Sequence, residues 1–296
     1  MRLSTSTNLF AYRPDFSDFI PIIESMKLCK KVGFDAVDIN LCDVTRHYYR
    51  LADPDWEEWI AEVKEVSEKL SLPITQSHPP FYNCLNPNFS QRAEYDKMIC
   101  RAIKASGMLG VPWVVMHPGS LPEEDSKRAK SKEGNYDYFM PLLELAAEYN
   151  TGIAIENMSG VHENGQRVYC NNHEHLIDFV ESLPVSNAGI CWDFGHAHLE
   201  KVNQVEALRA MGSRLKATHV ADNSGLRDDH IMPFAGHVNW YEIMPVLREI
   251  GYQGDFTYEI HSASSRLPLE LLEDLGDYCV KIGRYLIARS NHRQLT

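Results

Sequence analysis

The stretch Ile153-Ala154-Ile155-Glu156 is a short apolar run that ends on a carboxylate, and it decides how the chain can fold. Three similar runs follow, each ending on a residue that could bind a metal: Ile190-Cys191-Trp192-Asp193, Ala217-Thr218-His219 and Phe256-Thr257-Tyr258-Glu259. Such short apolar runs are typical of parallel strands that are buried on both faces. Four of them in succession predict one shared site where the carboxyl ends of the strands meet.

Strand-like and helix-like patterns alternate along the whole chain. Earlier strands are predicted at residues 2–7, 36–39, 72–78 and 113–117, which makes eight strands in all. Eight strand–helix units predict an α/β protein that closes into a (β/α)₈ TIM barrel, a single domain spanning residues 1–296. No G-x-G-x-x-G follows the first strand, which disfavours an open doubly wound sheet. Helices are predicted near residues 16–31, 56–70, 94–108, 136–149, 175–182, 202–211, 239–250 and 267–287, with a charged loop at 122–132.

The composition predicts a soluble, cytoplasmic protein. Hydrophobic residues make up 44% of the chain, and no apolar run approaches the ~20 residues of a membrane span. The first seven residues are polar and lack the apolar core of a signal peptide. Seven scattered cysteines without a C-x-x-C pair indicate reduced thiols.

The charge balance bears on the partners. Lysine and arginine number 29 against 41 acidic residues, a formal net charge of −12. A protein that binds the phosphate backbone usually presents a basic face, so we expect neither a nucleic-acid nor a membrane partner. A small-molecule substrate is expected, and a homo-oligomer stays open.

The four strand-end residues suggest a metal site. Alone, a strand-end glutamate is more typical of a solvated rim, and a lone histidine of the core; their joint occurrence on successive strands indicates a shared ligand set. Three carboxylates and an imidazole suit Mn²⁺, Zn²⁺, Co²⁺ or Mg²⁺. The candidate ligands are Glu156, Asp193, His219 and Glu259.

Five motifs carry a resemblance to a known superfamily. With the eightfold alternation, the chain resembles the xylose isomerase-like TIM barrels, which join sugar phosphate isomerases and epimerases with the endonuclease IV family (AP endonuclease family 2). The order and spacing of the motifs are specific for the superfamily, but they do not identify a substrate. The motifs are Met116-His117-Pro118-Gly119-Ser120, Ile155-Glu156-Asn157, Trp192-Asp193-Phe194-Gly195-His196, His219-Val220-Ala221-Asp222-Asn223 and Tyr258-Glu259-Ile260-His261.

The resemblance implies an enzyme that isomerises or epimerises a sugar, a sugar phosphate or a cyclitol. By similarity to ketose 3-epimerases, the four strand-end residues would hold one divalent cation, Glu156 and Glu259 would form the acid/base pair, and His196 would contact a substrate oxygen. The proton beside a sugar carbonyl is only weakly acidic. A metal-bound enediolate would stabilise the developing charge, while two carboxylates remove and return the proton.

The endonuclease IV branch implies an alternative, a zinc phosphodiesterase that acts on abasic DNA with three ions. Two features depart from that pattern: Asp229 stands where the nuclease has an arginine, and Phe194-Gly195 replaces a small polar pair. One ion is expected, and up to three stay open. His78 could instead cap its strand, and His117 could hydrogen-bond Glu156. The further ligands implied by this branch are His78, His117, His196, Asp228 and His230.

Loops after the first strands, and one near the seventh, offer groups for a polyol. Aromatic rings can stack on the C–H faces of a sugar while polar groups bond its hydroxyls. The two arginines among them could also meet a phosphate, so a free sugar and a sugar phosphate both stay open. Most other histidines, including His162 and His292, are predicted at the surface or on helices. The predicted substrate-binding residues are Asn8, Tyr12, Arg50, Tyr82 and Arg227.

Overall fold

The computed structural model describes residues 1–13, 19–42, 49–122, 128–163 and 165–290. Eight parallel strands follow one another around a barrel, in the order β7-β6-β5-β4-β3-β2-β1-β8. A parallel bridge between Val220 and Tyr258 joins β7 to β8 and closes the ring. The strands are β1 (Leu3–Ser6), β2 (Ala36–Asn40), β3 (Ile74–His78), β4 (Trp113–Met116), β5 (Gly152–Glu156), β6 (Ala188–Asp193), β7 (Leu215–His219) and β8 (Phe256–Tyr258). The predicted single-domain (β/α)₈ TIM barrel is confirmed.

Ten α-helices lie within the described residues, two more than predicted. The additional helices are short: one follows β1, and the other begins directly after Asp193 and carries His196. The helices are α1 (Asn8–Ala11), α2 (Ile22–Val32), α3 (Trp56–Leu70), α4 (Arg92–Leu109), α5 (Arg128–Glu148), α6 (His173–Ser182), α7 (Phe194–Leu199), α8 (Gln204–Met211), α9 (Trp240–Glu249) and α10 (Leu272–Arg289).

Three predicted boundaries were wrong. The helix predicted at 16–31 begins at Ile22, because Pro21 stands at its N-cap; residues 14–18 lie outside the described part. α5 already includes Arg128, so the end of the predicted charged loop is helical. The last helix begins at Leu272 rather than at residue 267, after Pro268 and a 3₁₀ turn at Leu269–Leu271.

Small residues inside the barrel make room for the strand-end ligands. Val115, Ala154, Cys191 and Ala217 form a separate buried cluster, whereas Ile153 and Ile155 belong to the large core that includes the helices. Side chains two apart on a strand share a face. The residues two positions beyond the small cluster therefore also face the barrel axis, directly above it. These residues are His117, Glu156, Asp193 and His219.

No helix in the described part of the chain is both long and apolar enough to cross a membrane.

Candidate metal centre and active site

Four predicted ligands meet at the carboxyl end of the barrel. Glu156, Asp193 and His219 end β5, β6 and β7, and Glu259 directly follows β8. Their ligand atoms lie within 4.8 Å of one another. His219 Nδ1 lies 2.9 Å from Glu156 Oε1 and 3.4 Å from Glu259 Oε2. The first three are buried, whereas 14% of the Glu259 side chain is exposed. We name these four residues the central group.

A second group shares Glu156 and adds two imidazoles. His117 Nε2 lies 3.1 Å from Glu156 Oε2, and His78 Nε2 lies 3.7 Å from the same oxygen. The two Nε2 atoms are 3.1 Å apart. The Pro79 carbonyl can only accept a hydrogen bond, so His78 Nδ1 must carry the proton that it donates. The Nε2 atom of His78 then presents a lone pair to the group.

A third group consists of His196, Asp228 and His230. The Nε2 atoms of His196 and His230 lie 3.1 Å and 2.9 Å from Asp228 Oδ2. Each ring is held from behind by a backbone carbonyl: His196 Nδ1 donates to Asn157, and His230 Nδ1 donates to Glu259. Anchoring one ring nitrogen while presenting the other is typical of metal-binding histidines.

Two buried carboxylate oxygens in these groups lack a hydrogen bond. Among the described residues, Glu156 Oε2 and Asp193 Oδ2 have no hydrogen-bond partner, although both are shielded from solvent; the His117 contact with Glu156 Oε2 lacks hydrogen-bond geometry. A buried polar atom without a partner is costly, and a divalent ion would satisfy these oxygens. The oxygen and nitrogen donors also match the preferences of Mn²⁺, Zn²⁺, Co²⁺ and Mg²⁺. The residues of the site therefore fit a divalent cation.

Electrostatics in the metal-free cluster depend on protonated imidazoles. Burial raises the pKa of Asp193 to about 6, although His196 opposes this rise. Burial also acts to raise the pKa of Glu156, but His219 and His117 outweigh it and hold that pKa well below its ordinary value. For His219, the reverse holds: burial acts to lower its pKa, while Cys191 and Glu156 help to raise it well above the ordinary value. A cation would replace these protons.

Asp38 on β2 faces the central group from the opposite side. Its Oδ2 atom lies 3.4 Å from His219 Nε2, and its side chain is 2% exposed. The prediction from sequence missed this residue. The available signal was a carboxylate in the otherwise apolar stretch Ala36-Val37-Asp38-Ile39. The contact is electrostatic, because His219 Nε2 has no hydrogen-bond partner among the described residues. A carboxylate beside Nε2 favours a proton on that nitrogen, which leaves His219 Nδ1 available as a ligand.

A cavity of about 1010 Å³ lies above the three groups. Asn8, Tyr12 and Tyr82 line it, as do Glu156, Glu259 and the third group. The hydroxyl group of Tyr82 donates to Asp96, so the ring rather than the hydroxyl contributes to the wall. Other lining residues that the sequence did not single out as binding groups are Asn40, Ser120, Met158 and Tyr169.

The structure does not bring the two predicted arginines to this cavity. Arg50 pairs with Asp53 and Asp55 and lines a smaller neighbouring cavity of about 290 Å³. The side chain of Arg227 is 84% exposed and pairs with Asp229. Both guanidinium groups have local carboxylate partners, which accounts for their positions.

His162 was predicted at the surface, but it lines the cavity. The loop after β5 brings its Nε2 atom within 2.8 Å of the Ser120 hydroxyl. His261, the last residue of the motif at β8, also lines the cavity, and its ring lies 4.3 Å from that of His230. His292 lies outside the described residues.

Comparison with known proteins identifies the family. Residues 26–277 match the family described as xylose isomerase-like TIM barrel, and the chain belongs to that family. An uncharacterized protein of Methanocaldococcus jannaschii is 30% identical over 81% of this chain and 80% of its own length. An inosose isomerase of Halalkalibacterium halodurans is 21% identical over 81% of this chain and 82% of its own length.

Solved structures share the fold across the whole chain. A D-tagatose 3-epimerase-like protein superposes with a TM-score of 0.75 at 23% identity, covering 99% of this chain and 100% of the other. The IolI protein, solved with a bound zinc atom, superposes with a TM-score of 0.76 at 18% identity and the same coverage. These likenesses show the same fold as the family match, a xylose isomerase-like TIM barrel.

Proposed function

We propose that the protein is a divalent-metal-dependent sugar isomerase or epimerase that moves a proton at a carbon beside a carbonyl group. The observation that supports this most is the central group, three carboxylates and an imidazole gathered within 4.8 Å beneath a cavity of substrate size. Glu156, Asp193, His219 and Glu259 would hold the cation. When bound, the ion would polarise the carbonyl and make the neighbouring C–H more acidic.

Glu156 and Glu259 are the proposed proton carriers. Both line the cavity, and the pKa of each is lowered because nearby histidines outweigh the effect of burial. Both groups are therefore deprotonated carboxylates at neutral pH in the metal-free protein, the form that a base must have. In epimerisation, one carboxylate would remove the proton from one face, and the other, after taking up a proton from water, would protonate the opposite face. In isomerisation, one carboxylate would move the proton between neighbouring carbons. His196 would bond a substrate oxygen through Nε2.

The cavity wall favours an uncharged polyol over a phosphorylated one. Among the described residues that line it, none is lysine or arginine. Amides and hydroxyls are present instead, from Asn8, Asn40 and Ser120, together with the aromatic side chains of Tyr12 and Phe81. Amides and hydroxyls can bond the hydroxyls of a sugar, and the rings can cover its C–H faces. We therefore propose a free sugar or cyclitol as the substrate.

A second candidate function deserves a test because the ligand set is larger than one ion needs. The two flanking groups could hold further ions, which supports the zinc phosphodiesterase alternative with abasic DNA as its substrate. The net charge of −12 and the cavity wall without lysine or arginine in the described residues weigh against it. The full set is His78, His117, Glu156, Asp193, His196, His219, Asp228, His230 and Glu259.

Three measurements on the purified protein separate the two functions. The protein with Mn²⁺ is incubated in D₂O with inosose, D-tagatose, D-psicose and D-fructose, compounds that similar proteins are named for or were solved with. Deuterium at a carbon-bound position supports the isomerase or epimerase. Nicking of an abasic duplex without any exchange would instead support the nuclease. Metal counting by mass spectrometry then gives the number of ions, about one for the first function and about three for the second.

A further inference from the structure

The outward side of α10 carries an exposed aromatic stripe that does not line the cavity. Leu271, Tyr278 and Tyr285 are 46%, 57% and 41% exposed and recur every seven residues. Seven residues are about two helical turns, so Tyr278 and Tyr285 lie along one line of the helix, and Leu271 directly precedes its first residue. Phe234 and Tyr241 widen the stripe, because the Phe234 ring lies 5.6 Å from that of Tyr241 and 6.1 Å from that of Tyr285. We name these five residues the α10 face.

An exposed patch of this kind differs from scattered surface residues. Six of the ten large apolar side chains exposed in the described part of the chain lie on α10 or beside it. Contiguous exposed apolar side chains mark interaction surfaces, and tyrosine, phenylalanine and arginine are enriched at the centre of interfaces. Arg289 supplies the arginine, with its guanidinium 5.2 Å from the centre of the Tyr285 ring.

The charges on α10 change sign halfway along the helix. The first half carries Glu273, Asp274 and Asp277, and the second half carries Lys281, Arg284 and Arg289. Glu273 and Arg284 already pair with α2 and the loop beyond it, through Lys31 and Asp35. Asp274 and Arg289 lie at opposite ends of the exposed stripe. A helix with this pattern complements a copy of itself that runs in the opposite direction.

We propose that the α10 face is a two-fold interface between two copies of this chain, with their α10 helices antiparallel. A register that sets Tyr278 against Tyr285 of the second copy places the axis between Lys281 and Ile282. The same register sets Asp274 against Arg289 of the second copy, and symmetry repeats both contacts. One alignment thus matches the aromatic residues and the charges together.

A second copy accounts for this face better than an unrelated protein does. The match depends on α10 being complementary to its own reverse, which an unrelated partner has no reason to share. Each copy also carries a net charge of −12, so two copies repel in general and need a locally complementary patch to associate. The inference does not depend on the proposed function, because none of these residues lines the cavity.

A charge exchange tests the register. The mass of the wild-type protein is followed by analytical ultracentrifugation from about 1 to 100 μM, where a dimer is expected. Asp274→Arg and Arg289→Asp should each raise the dimer dissociation constant about tenfold or more, since like charges then face each other. The double variant should bring the constant back to within about threefold of wild type. Glu144→Arg, the same charge change on an exposed position of α5, is the control and should leave it unchanged.

Two further measurements keep the outcomes decisive. Thermal unfolding of each variant shows whether the monomer is still folded. Tyr278→Lys tests the aromatic contact separately and should also dissociate the dimer, because it places a cation beside Lys281 of the second copy. A wild-type protein that stays monomeric throughout the range would overturn the proposal. The proposal would also be overturned by a folded double variant whose dimer dissociation constant is no lower than those of the single variants. A Tyr278→Lys variant with the wild-type dimer dissociation constant would overturn it too.

Discussion

Replacing Glu259 with glutamine should stop proton transfer while leaving the cation in place. Glu259 is the most accessible member of the central group, and its Oε2 atom lies 3.4 Å from His219 Nδ1 and 3.6 Å from His230 Nδ1. Glutamine keeps the length and one carbonyl-type oxygen, but an amide accepts no proton at neutral pH. The substitution therefore removes the proposed base and keeps an oxygen that can bind metal.

The expected loss of rate follows from the proposed role of Glu259 as a base. A positioned acid or base contributes about 10²–10⁴-fold to a rate. That range corresponds to about 2.7–5.5 kcal/mol of activation free energy. Glu156→Gln should be more damaging to metal binding, because Glu156 belongs to both the central and the second group, through His219 at 2.9 Å and His117 at 3.1 Å.

The assay combines proton exchange with metal analysis. Deuterium incorporation into the active sugar is followed by NMR in D₂O, and metal content is measured on the same sample. Glu249→Gln is the matched control, since Glu249 is a half-exposed residue on α9 that pairs with Arg209 outside the cavity. We expect wild-type exchange in the control and a loss of at least about 100-fold in Glu259→Gln at unchanged metal content. Full exchange in Glu259→Gln would refute the proton-transfer role.

Four more predictions concern the cation and the cavity wall. Asp38→Asn should weaken metal binding about 10–100-fold by calorimetry, because the amide no longer favours the His219 tautomer with a free Nδ1; unchanged affinity would contradict the role of Asp38. In metal-free protein, burial lowers the pKa of His230, but Glu259 and Asp228 outweigh it and raise the pKa to about 9. Protonated His230 therefore stabilises the folded, metal-free protein fully below the ordinary pKa of 6.5, and this contribution is lost as the pH rises through 9. The unfolding temperature measured with EDTA should fall between these two pH values. Mn²⁺ at about 100 times its dissociation constant should increase the free energy of unfolding by about 2.7 kcal/mol. A thermal unfolding scan in which Mn²⁺ does not shift the unfolding temperature would argue against binding. Phe81→Ala should raise KM about two- to tenfold at constant kcat, because its half-exposed ring lines the wall; an unchanged KM would rule out stacking on the sugar.

Much of the site could be predicted from the sequence because strand patterns fix geometry locally. In a barrel of parallel strands, all carboxyl ends lie on the same rim, so the sequence alone predicts that the ends of β5, β6 and β7 lie close together. Glu156, Asp193 and His219 meet there. The two-residue alternation also explains why small residues such as Ala154 and Ala217 precede the ligands.

Residues on loops followed no such rule. Arg50 and Arg227 were predicted to face the substrate, but their side chains pair with carboxylates nearby in the chain. His162 was predicted at the surface, but its loop folds back to Ser120. Loop direction depends on tertiary contacts, which no short-range period in the sequence records.

The sequence by itself determined the barrel, the rim on which the ligands lie and the kind of ion they suit, because strand periodicity and donor chemistry are local properties. Only the tertiary structure decided how those candidate ligands divide into three groups, that Asp38 faces His219 across the barrel, and that the aromatic face of α10 is exposed among the described residues. Each of these depends on distances between residues far apart in the chain, which are set when the ring of strands closes and the helices pack around it.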